Sequence, residues 1–368
     1  MEPPVLTDGI VTLRALGDQD VAGVLEQCLD PQSIRWTQVP VPFGLGDAIE
    51  FVHEIAPGAW ADGSQWILAV EGPDGYVGNV ALRDERHGRA EIAYGAHPAA
   101  RGRGLMEAGL RLLLEWGFAT QGIETVVWRA DVGNWASRKL AWRLGFHLDG
   151  VLRGSQFSRG RLVDAWVGTL LAGDERTPSG RWLSAPELTG EEPDHEVRLR
   201  ALRDDDVPRI VEACSDERTR RWLGRTPSPY GPGEARAFLE RITGDQASGS
   251  GTAWAVTARD DDRLVASFEV FDVSAHACEI GYWTHPDARG RGVMTTAARL
   301  ATSYAFDELG VRRVLAHTAV DNTASRHVLE AAGFRDAGVV RLGTTTRTGR
   351  ADAAVYDVLV EEWRSSRR

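Results

Sequence analysis

A chain of 368 residues exceeds what one hydrophobic core organises, and at about 100 to 200 residues per domain it is expected to hold two. With 43% hydrophobic and 26% charged residues it has the composition of an ordinary globular protein. A formal net charge of -11 argues against nucleic acid or an anionic membrane as a partner and tilts towards a cationic small molecule or basic peptide. Cys28, Cys214 and Cys278 form neither a disulfide framework nor a metal-ligand set, so no metal is expected. No apolar run approaches the roughly 20 residues that span a bilayer. Met1 to Thr7 carries two prolines and no apolar run, so a cytoplasmic location without a signal peptide is expected.

Ile10 to Arg14 alternates as a strand does, and Asp18 to Leu29 opens on acidic residues and continues at helical spacing. Trp36 to Phe43 reads as a proline-containing loop and Asp47 to Ile55 as a helix. Three strands follow, Gln65 to Val70, Val77 to Leu82 and Ala90 to Ala96, with Pro73-Asp74-Gly75 as a tight turn between the first two. The third runs through Glu91-Ile92-Ala93-Tyr94-Gly95-Ala96-His97-Pro98 into Arg101-Gly102-Arg103-Gly104-Leu105-Met106. Beyond that turn Leu105, Gly109, Leu112, Leu113 and Trp116 fall on one helical stripe. Thr125 to Ala130 reads as a strand and Asn134 to Leu144 as a helix, which Gly145-Phe146 stops. Leu162 to Leu171 is the closing strand.

The same order then recurs. Trp66 and Trp254, Arg101 and Arg289, Asn134 and Asn322, and Asp164 and Asp352 each lie 188 residues apart. Leu13 and Leu199, Cys28 and Cys214, and Trp36 and Trp222 lie 186 apart. So long a period means a duplicated domain, not a solenoid. Gly173 to His195 contains Pro178, Pro186 and Pro193 and follows neither helical nor strand periodicity. The expected domains are therefore 1–172 and 196–368, joined by a linker at 173–195.

A strand that ends in Arg-Gly-x-Gly and opens a helix aims backbone N–H groups at one point, as a pyrophosphate requires. Gly102 and Gly104, with Gly290 and Gly292 in the second copy, let backbone approach a phosphate, while Arg101, Arg103, Arg289 and Arg291 add positive charge.

The strand and helix order, with Glu-Ile-x-Tyr, His-Pro, Arg-Gly-Arg-Gly and the later Asn-x-x-Ser and Gly-Phe, resembles the GNAT family of N-acetyltransferases. Over essentially the whole chain, once per half, it is most similar to the ribosomal-protein-alanine N-acetyltransferase-like (RimJ/RimL-type) subgroup. The resemblance implies an α/β (α+β) fold: two tandem, mixed, mostly antiparallel sheets flanked by helices, each splayed at the fourth and fifth strands. It implies acetyl-CoA as co-substrate, held by Ala96, His97, Arg101, Gly102, Arg103, Gly104, Leu105, Met106 and Asn134. In the second copy the corresponding residues are Thr284, His285, Arg289, Gly290, Arg291, Gly292, Val293, Met294 and Asn322. An N–H freed within Gly95 to Pro98 or Trp283 to Pro286 would stabilise the oxyanion.

Acylating an amine requires a neutral nucleophile, and Glu91 and Glu279, on the strand beside the cleft, are the candidate bases; a structural ion pair is the alternative. Many family members protonate the thiolate with a Tyr where this chain has Ala141 and Leu329, whereas the subgroup uses the Ser that is here Ser137 and Ser325. A helix cap followed by an ordinary Ser is the other reading of that motif. The strand Glu of the ribosomal acetylators is replaced by Gln156 and Thr344, and Asp164 and Asp352 read as hairpin ion-pair residues, with a contribution as base the alternative. Trp36 and Trp222 are candidates for an acceptor pocket or, equally, for anchors of their loop. The expected activity is transfer of an acetyl group to a primary amine of a small molecule, such as an aminoglycoside or polyamine, or to a peptide N-terminus, by a monomer or homodimer. The alternative is an acyl-CoA-binding sensor with one or both halves inactive.

Overall fold

The computed structural model describes the backbone of residues 2–192, 195–258 and 260–366 and, outside 191–196, their side chains. The chain divides into two compact units, Met1–Ser179 and Gly180–Arg368.

In unit 1, β1 (Leu6–Thr7), β2 (Thr12–Arg14), β3 (Gln65–Gly72), β4 (Gly75–Arg86), β5 (Arg89–Ala96), β6 (Thr125–Asp131), β7 (His147–Ser158) and β8 (Arg161–Leu171) form one sheet. Its order is β1-β2-β3-β4-β5-β6-β8-β7, and every pairing is antiparallel except β5 with β6. One face buries Leu13, Val70, Leu82 and Ile92 against α5 (Leu105–Thr120), and α6 (Trp135–Arg143) adds Ala141. The other face carries α1 (Val21–Leu29), α2 (Pro31–Trp36), α3 (Leu45–Glu50) and α4 (Ala56–Asp62), which bury Val24, Cys28, Val52 and Ala59.

Unit 2 repeats this plan. Its strands are β9 (Leu188–Glu192), β10 (His195–Ala201), β11 (Thr252–Ala258), β12 (Asp261–Phe271), β13 (Ala277–Thr284), β14 (Arg313–Ala319), β15 (Arg335–Thr346) and β16 (Gly349–Leu359), in the order β15-β16-β14-β13-β12-β11-β10-β9. Again only one pair, β13 with β14, is parallel. The helices are α7 (Val207–Ser215), α8 (Glu217–Trp222) and α9 (Pro232–Ser248) on one face, α10 (Val293–Asp307) and α11 (Thr323–Ala332) on the other, and a terminal α12 (Val360–Ser365). The duplication extends to buried polar contacts: Arg14 grips Asp20 with two hydrogen bonds, and Arg200 grips Asp206 in the same way. A buried guanidinium is tolerated here because its carboxylate is within bonding distance.

The structure differs from the sequence expectations in several places. Each sheet gains a first strand, β1 or β9, so the splay falls between the fifth and sixth strands in chain order of unit 1. Leu188–Glu192 lies inside the segment read as linker, yet it pairs with β10. Leu183 in that segment is buried in unit 2, and Trp254 Nε1 donates to Pro186 O at 2.9 Å. Arg176 instead packs over Phe118 of unit 1, so the proline-rich stretch is divided between the two cores. The helix read at Asp47 to Ile55 extends over 45–62, with a π turn at Phe51–Ile55. The segment just before the proline-containing loop forms α2, which Asp30 caps by accepting from Ser33 N. The buried stripe of α5 is Leu105, Met106, Gly109, Leu110, Leu113, Leu114 and Gly117; Leu112 and Trp116 lie at its margin because the buried face is rotated round the helix towards Met106, Leu110 and Leu114.

Candidate active site

The cleft follows from strand register. β5 pairs with β6 at only three positions, Arg89 with Thr125, Ala90 with Val126 and Glu91 with Val127, after which the strands part. β13 and β14 likewise separate after Ile280 and Ala316. On its other side β5 stays paired with β4 as far as Ala96, and His97 N donates to Val77 O at 2.8 Å. Antiparallel ladders point alternate residues to alternate sides, so with His97 directed at β4 the N–H groups of Tyr94 and Ala96 face the gap. The same alternation, with His285 N donating to Val265 O at 2.9 Å, directs those of Tyr282 and Thr284 into the second gap. The N–H groups of His97 and His285 are therefore occupied, and the free ones are one residue earlier.

At the mouth of each gap lies the glycine turn. Gly104 and Gly292 cap α5 and α10 at φ +77 and +74, the left-handed region that glycine adopts without a Cβ penalty. Among the described residues, the N–H groups of 102–107 and of 290–294 meet no acceptor within the chain. They form a concave row of donors at a helix N-terminus, a site suited to phosphate oxygens.

The turn's arginines divide by role. Arg101 Nη2 donates to Asp30 Oδ2 at 2.6 Å and Ser33 Oγ at 3.0 Å, and Arg289 binds Asp216 and Thr219 Oγ1 in the same way. The hydrogen bond from Arg101 holds Asp30 below the usual carboxylate range, and the bond from Arg289 lowers Asp216 against a burial effect that alone would raise it. These arginines clasp the turn to the start of α2 and α8. Arg103 pairs with Asp74 at 2.6 Å on the surface, whereas Arg291 has no ion pair among the described residues. His97 Nε2 lies 3.0 Å from Glu26, and His285 bridges Glu212 at 3.1 Å and Asp287 at 2.7 Å, tying the strand ends to α1 and α7.

Asn134 and Asn322 are helix N-caps, their side chains accepting from Ser137 N at 3.2 Å and Ser325 N at 3.3 Å. Each Ser hydroxyl meets a strand tyrosine: Ser137 Oγ is 2.7 Å from Tyr94 OH and Ser325 Oγ is 2.9 Å from Tyr282 OH. Burial raises both phenols above their ordinary range, so they stay protonated. In unit 1, Trp128 Nε1 also donates to Ser137 Oγ at 3.0 Å and Tyr94 OH at 3.2 Å. The tyrosine positions common elsewhere in the family, Ala141 and Leu329, are buried in the cores. Sequence reading assigned no role to Tyr94 and Tyr282; their place three residues after Glu91 and Glu279, on the opposite face of the strand, was the available signal.

Glu91 lies 3.0 Å from Arg129 and 3.6 Å from Arg83, while Arg129 also holds Glu85 at 2.9 Å. Glu279 instead meets His317, its Oε1 2.9 Å from Nδ1. By strand alternation both glutamates are on the face of α1–α4 or α7–α9, opposite the Tyr–Ser pairs. Asp164 and Asp352 are in no ion pair among the described residues: Oδ1 of each accepts a backbone N–H, from Gly154 and Leu342 at 2.8 Å, and so pins an irregular turn of β7 or β15. Trp36 and Trp222 lie beneath their neighbours Arg35 and Arg221 at 4.5 and 4.6 Å. The three cysteines are buried. No helix among the described residues is long and apolar enough to cross a membrane.

A mixed sheet splayed at its parallel pair, with free N–H groups at the mouth of the gap and a hydroxyl pair beside it, defines an acyl-transferase type of α/β domain, present twice. The profile described as "Acetyltransferase (GNAT) domain" matches residues 11–147 and again 196–335, and the chain belongs to that family of N-acetyltransferases. It is similar to the Bacillus subtilis protein called "Putative ribosomal N-acetyltransferase YdaF", 30% identical over 173 residues, 45% of this chain and 93% of that protein. "Probable N-acetyltransferase YjcK" of the same organism is 35% identical over 107 residues, 28% of this chain and 57% of that protein. Among solved structures, Mycobacterium smegmatis RimJ in complex with CoA-disulfide matches with a TM-score of 0.44 at 20% identity, covering 48% of this chain and 88% of that one.

Proposed function

We propose that the chain transfers the acetyl group of acetyl-CoA to a primary amine, of a cationic small molecule such as a polyamine or aminoglycoside or of a peptide N-terminus. The observation that carries this reading is the row of acceptor-free N–H groups at 102–107 and 290–294, at the end of a strand whose parallel partner has diverged. Acetyl-CoA supplies the activated thioester. Gly102, Gly104, Leu105 and Met106, with Gly290, Gly292, Val293 and Met294, offer backbone donors to its pyrophosphate, and Arg103 and Arg291 add charge. Arg101 and Arg289 act behind them as clasps, and His97, His285, Asn134 and Asn322 hold the flanking elements in place. The N–H of Ala96 or Thr284 faces the gap and stabilises the developing oxyanion. Ser137 or Ser325, backed by its tyrosine, returns a proton to the departing thiolate, and Glu91 or Glu279 serves the amine. The net charge of -11 supports a cationic acceptor, and the chain works in the cytoplasm as a monomer or homodimer.

A second reading applies to unit 1 alone. Glu91 is committed to Arg129, a partner that stays charged, which favours a half that binds acyl-CoA without turnover. The test is release of free thiol from acetyl-CoA with spermidine, kanamycin and an alanine-terminated hexapeptide. Acetyl-CoA binding without thiol release on any of them overturns the transferase reading in favour of a sensor.

A further inference from the structure

The two units differ in what their cleft-side carboxylates meet. Glu91 faces Arg129 at 3.0 Å, and at the equivalent place Glu279 Oε1 lies 2.9 Å from His317 Nδ1. A guanidinium stays protonated at any assay pH and accepts nothing, whereas an imidazole titrates near neutrality. Glu279 sits at ion-pair distance from Nδ1, and Nε2 has no partner among the described residues. His317 directly follows Ala316, the last β14 residue in register with β13, so the ring stands where the strands part. Its side chain is 34% exposed and that of Glu279 is 25% exposed, so the pair is partly open to solvent.

We propose that His317 Nε2 is the base for acetyl transfer in unit 2, with Glu279 as the neighbouring carboxylate that favours the ring's protonation. The proposal rests on the acetyl-transfer reading above. As the amine nitrogen forms its bond to the acetyl carbon, it gives a proton to His317 Nε2. The carbon–sulfur bond breaks, and the thiolate takes a proton from Ser325 on the opposite face of the sheet. Solvent then takes the proton from the histidine and replaces the serine's, so one amide and one thiol result. The carboxylate next to the imidazolium stabilises the charge as it forms, as in other carboxylate–histidine pairs. Other charges on this face pair among themselves: Arg313 with Asp357 on β14 and β16, and Arg241 of α9 with Glu269 on β12 and with Asp245. His285, Glu212 and Asp287 form a separate cluster at the end of β13. Among these groups only Glu279 lies within ion-pair distance of the ring.

The test uses the full chain, acetyl-CoA and the same three acceptors. His317→Gln is expected to lower kcat/KM by about 10²-fold or more and to flatten the acid limb of the pH–rate profile, with acetyl-CoA affinity unchanged by calorimetry. Glu279→Gln is expected to lower kcat by about 10-fold with the KM for the acceptor unchanged, a split that a merely structural role would not produce. Arg129→Gln is expected to change turnover by less than about threefold. A rate and pH profile that survive His317→Gln overturn the proposal while leaving acetyl transfer intact, as does turnover abolished by Arg129→Gln. A wild-type chain that binds acetyl-CoA and acetylates none of the acceptors overturns the transfer reading, and the histidine's role falls with it.

Discussion

Trp128 lies opposite Gly168 across the β6–β8 ladder, and at the equivalent place in unit 2 Ala316 lies opposite Tyr356. One large and one small residue fill this position in each sheet, with the large one on a different strand. The exchange has a chemical consequence. Trp128 donates to the Tyr94–Ser137 pair, while the Tyr356 hydroxyl donates to Glu330 at 2.7 Å and accepts from Arg326, leaving Tyr282 and Ser325 to each other.

A Cβ at Gly168 would meet His147 O at 2.6 Å, which is backbone and cannot turn aside. Gly168→Ala is expected to destabilise unit 1 by about 1–3 kcal/mol, read as a lower urea midpoint for its transition. A midpoint unchanged from wild type would show that the β7–β8 edge yields freely.

Ser325→Ala and Tyr282→Phe should each lower kcat by about 10- to 10²-fold while leaving acetyl-CoA affinity unaltered. Because burial keeps the Tyr282 phenol protonated, no alkaline loss of rate from this residue is expected below about pH 10. A pH–rate profile would reveal such a loss.

Two acetyl-CoA sites are expected by calorimetry, one per unit. Gly104→Val and Gly292→Val force a β-branched residue into φ near +75, and each is expected to remove one site. Turnover should fall further with the second substitution. Equal turnover in both variants would count against unit 2 as the main catalyst.

The Asp30–Arg101 clasp gives a pH signature. Hydrogen bonding from Arg101 lowers the folded-state pKa of Asp30, so its stabilising effect is complete above the unfolded value of about 3.9 and is lost as pH falls through the lower folded value. Asp30→Asn should therefore reduce stability at pH 7 and make little difference near pH 2, measured by denaturant unfolding at each pH.

Burial pushes the thiols of Cys28 and Cys214 up to about 11 and that of Cys278 up to about 12. Native protein at pH 8 is expected to resist iodoacetamide at all three, and urea-unfolded protein to react at all three, as mass spectrometry would record.

Much of this architecture was legible before any coordinates. The 188-residue recurrence set the duplication, alternation at Gln65 to Val70 and Ala90 to Ala96 located the central strands, and Arg-Gly-Arg-Gly marked the strand-to-helix turn. The added first strands were not legible, because Leu6–Thr7 is too short to show a period and Leu188–Glu192 sits among prolines and glycines. Its strand character comes from the exposed edge of β10, a tertiary fact.

The sequence by itself determined which residues carry a backbone need or a helical face: glycines where φ must be positive, asparagines where a helix begins, apolar residues at a buried stripe. Tertiary structure alone decided who meets whom among the charged side chains. Arg101, read as a phosphate ligand, hydrogen-bonds Asp30, 71 residues earlier; Glu91 and Glu279 looked alike and are divided by Arg129 and His317 on the neighbouring strand. The physical reason is that periodicity reports a residue's own strand or helix, whereas a side chain's chemistry is set by partners that only strand pairing brings within hydrogen-bond reach.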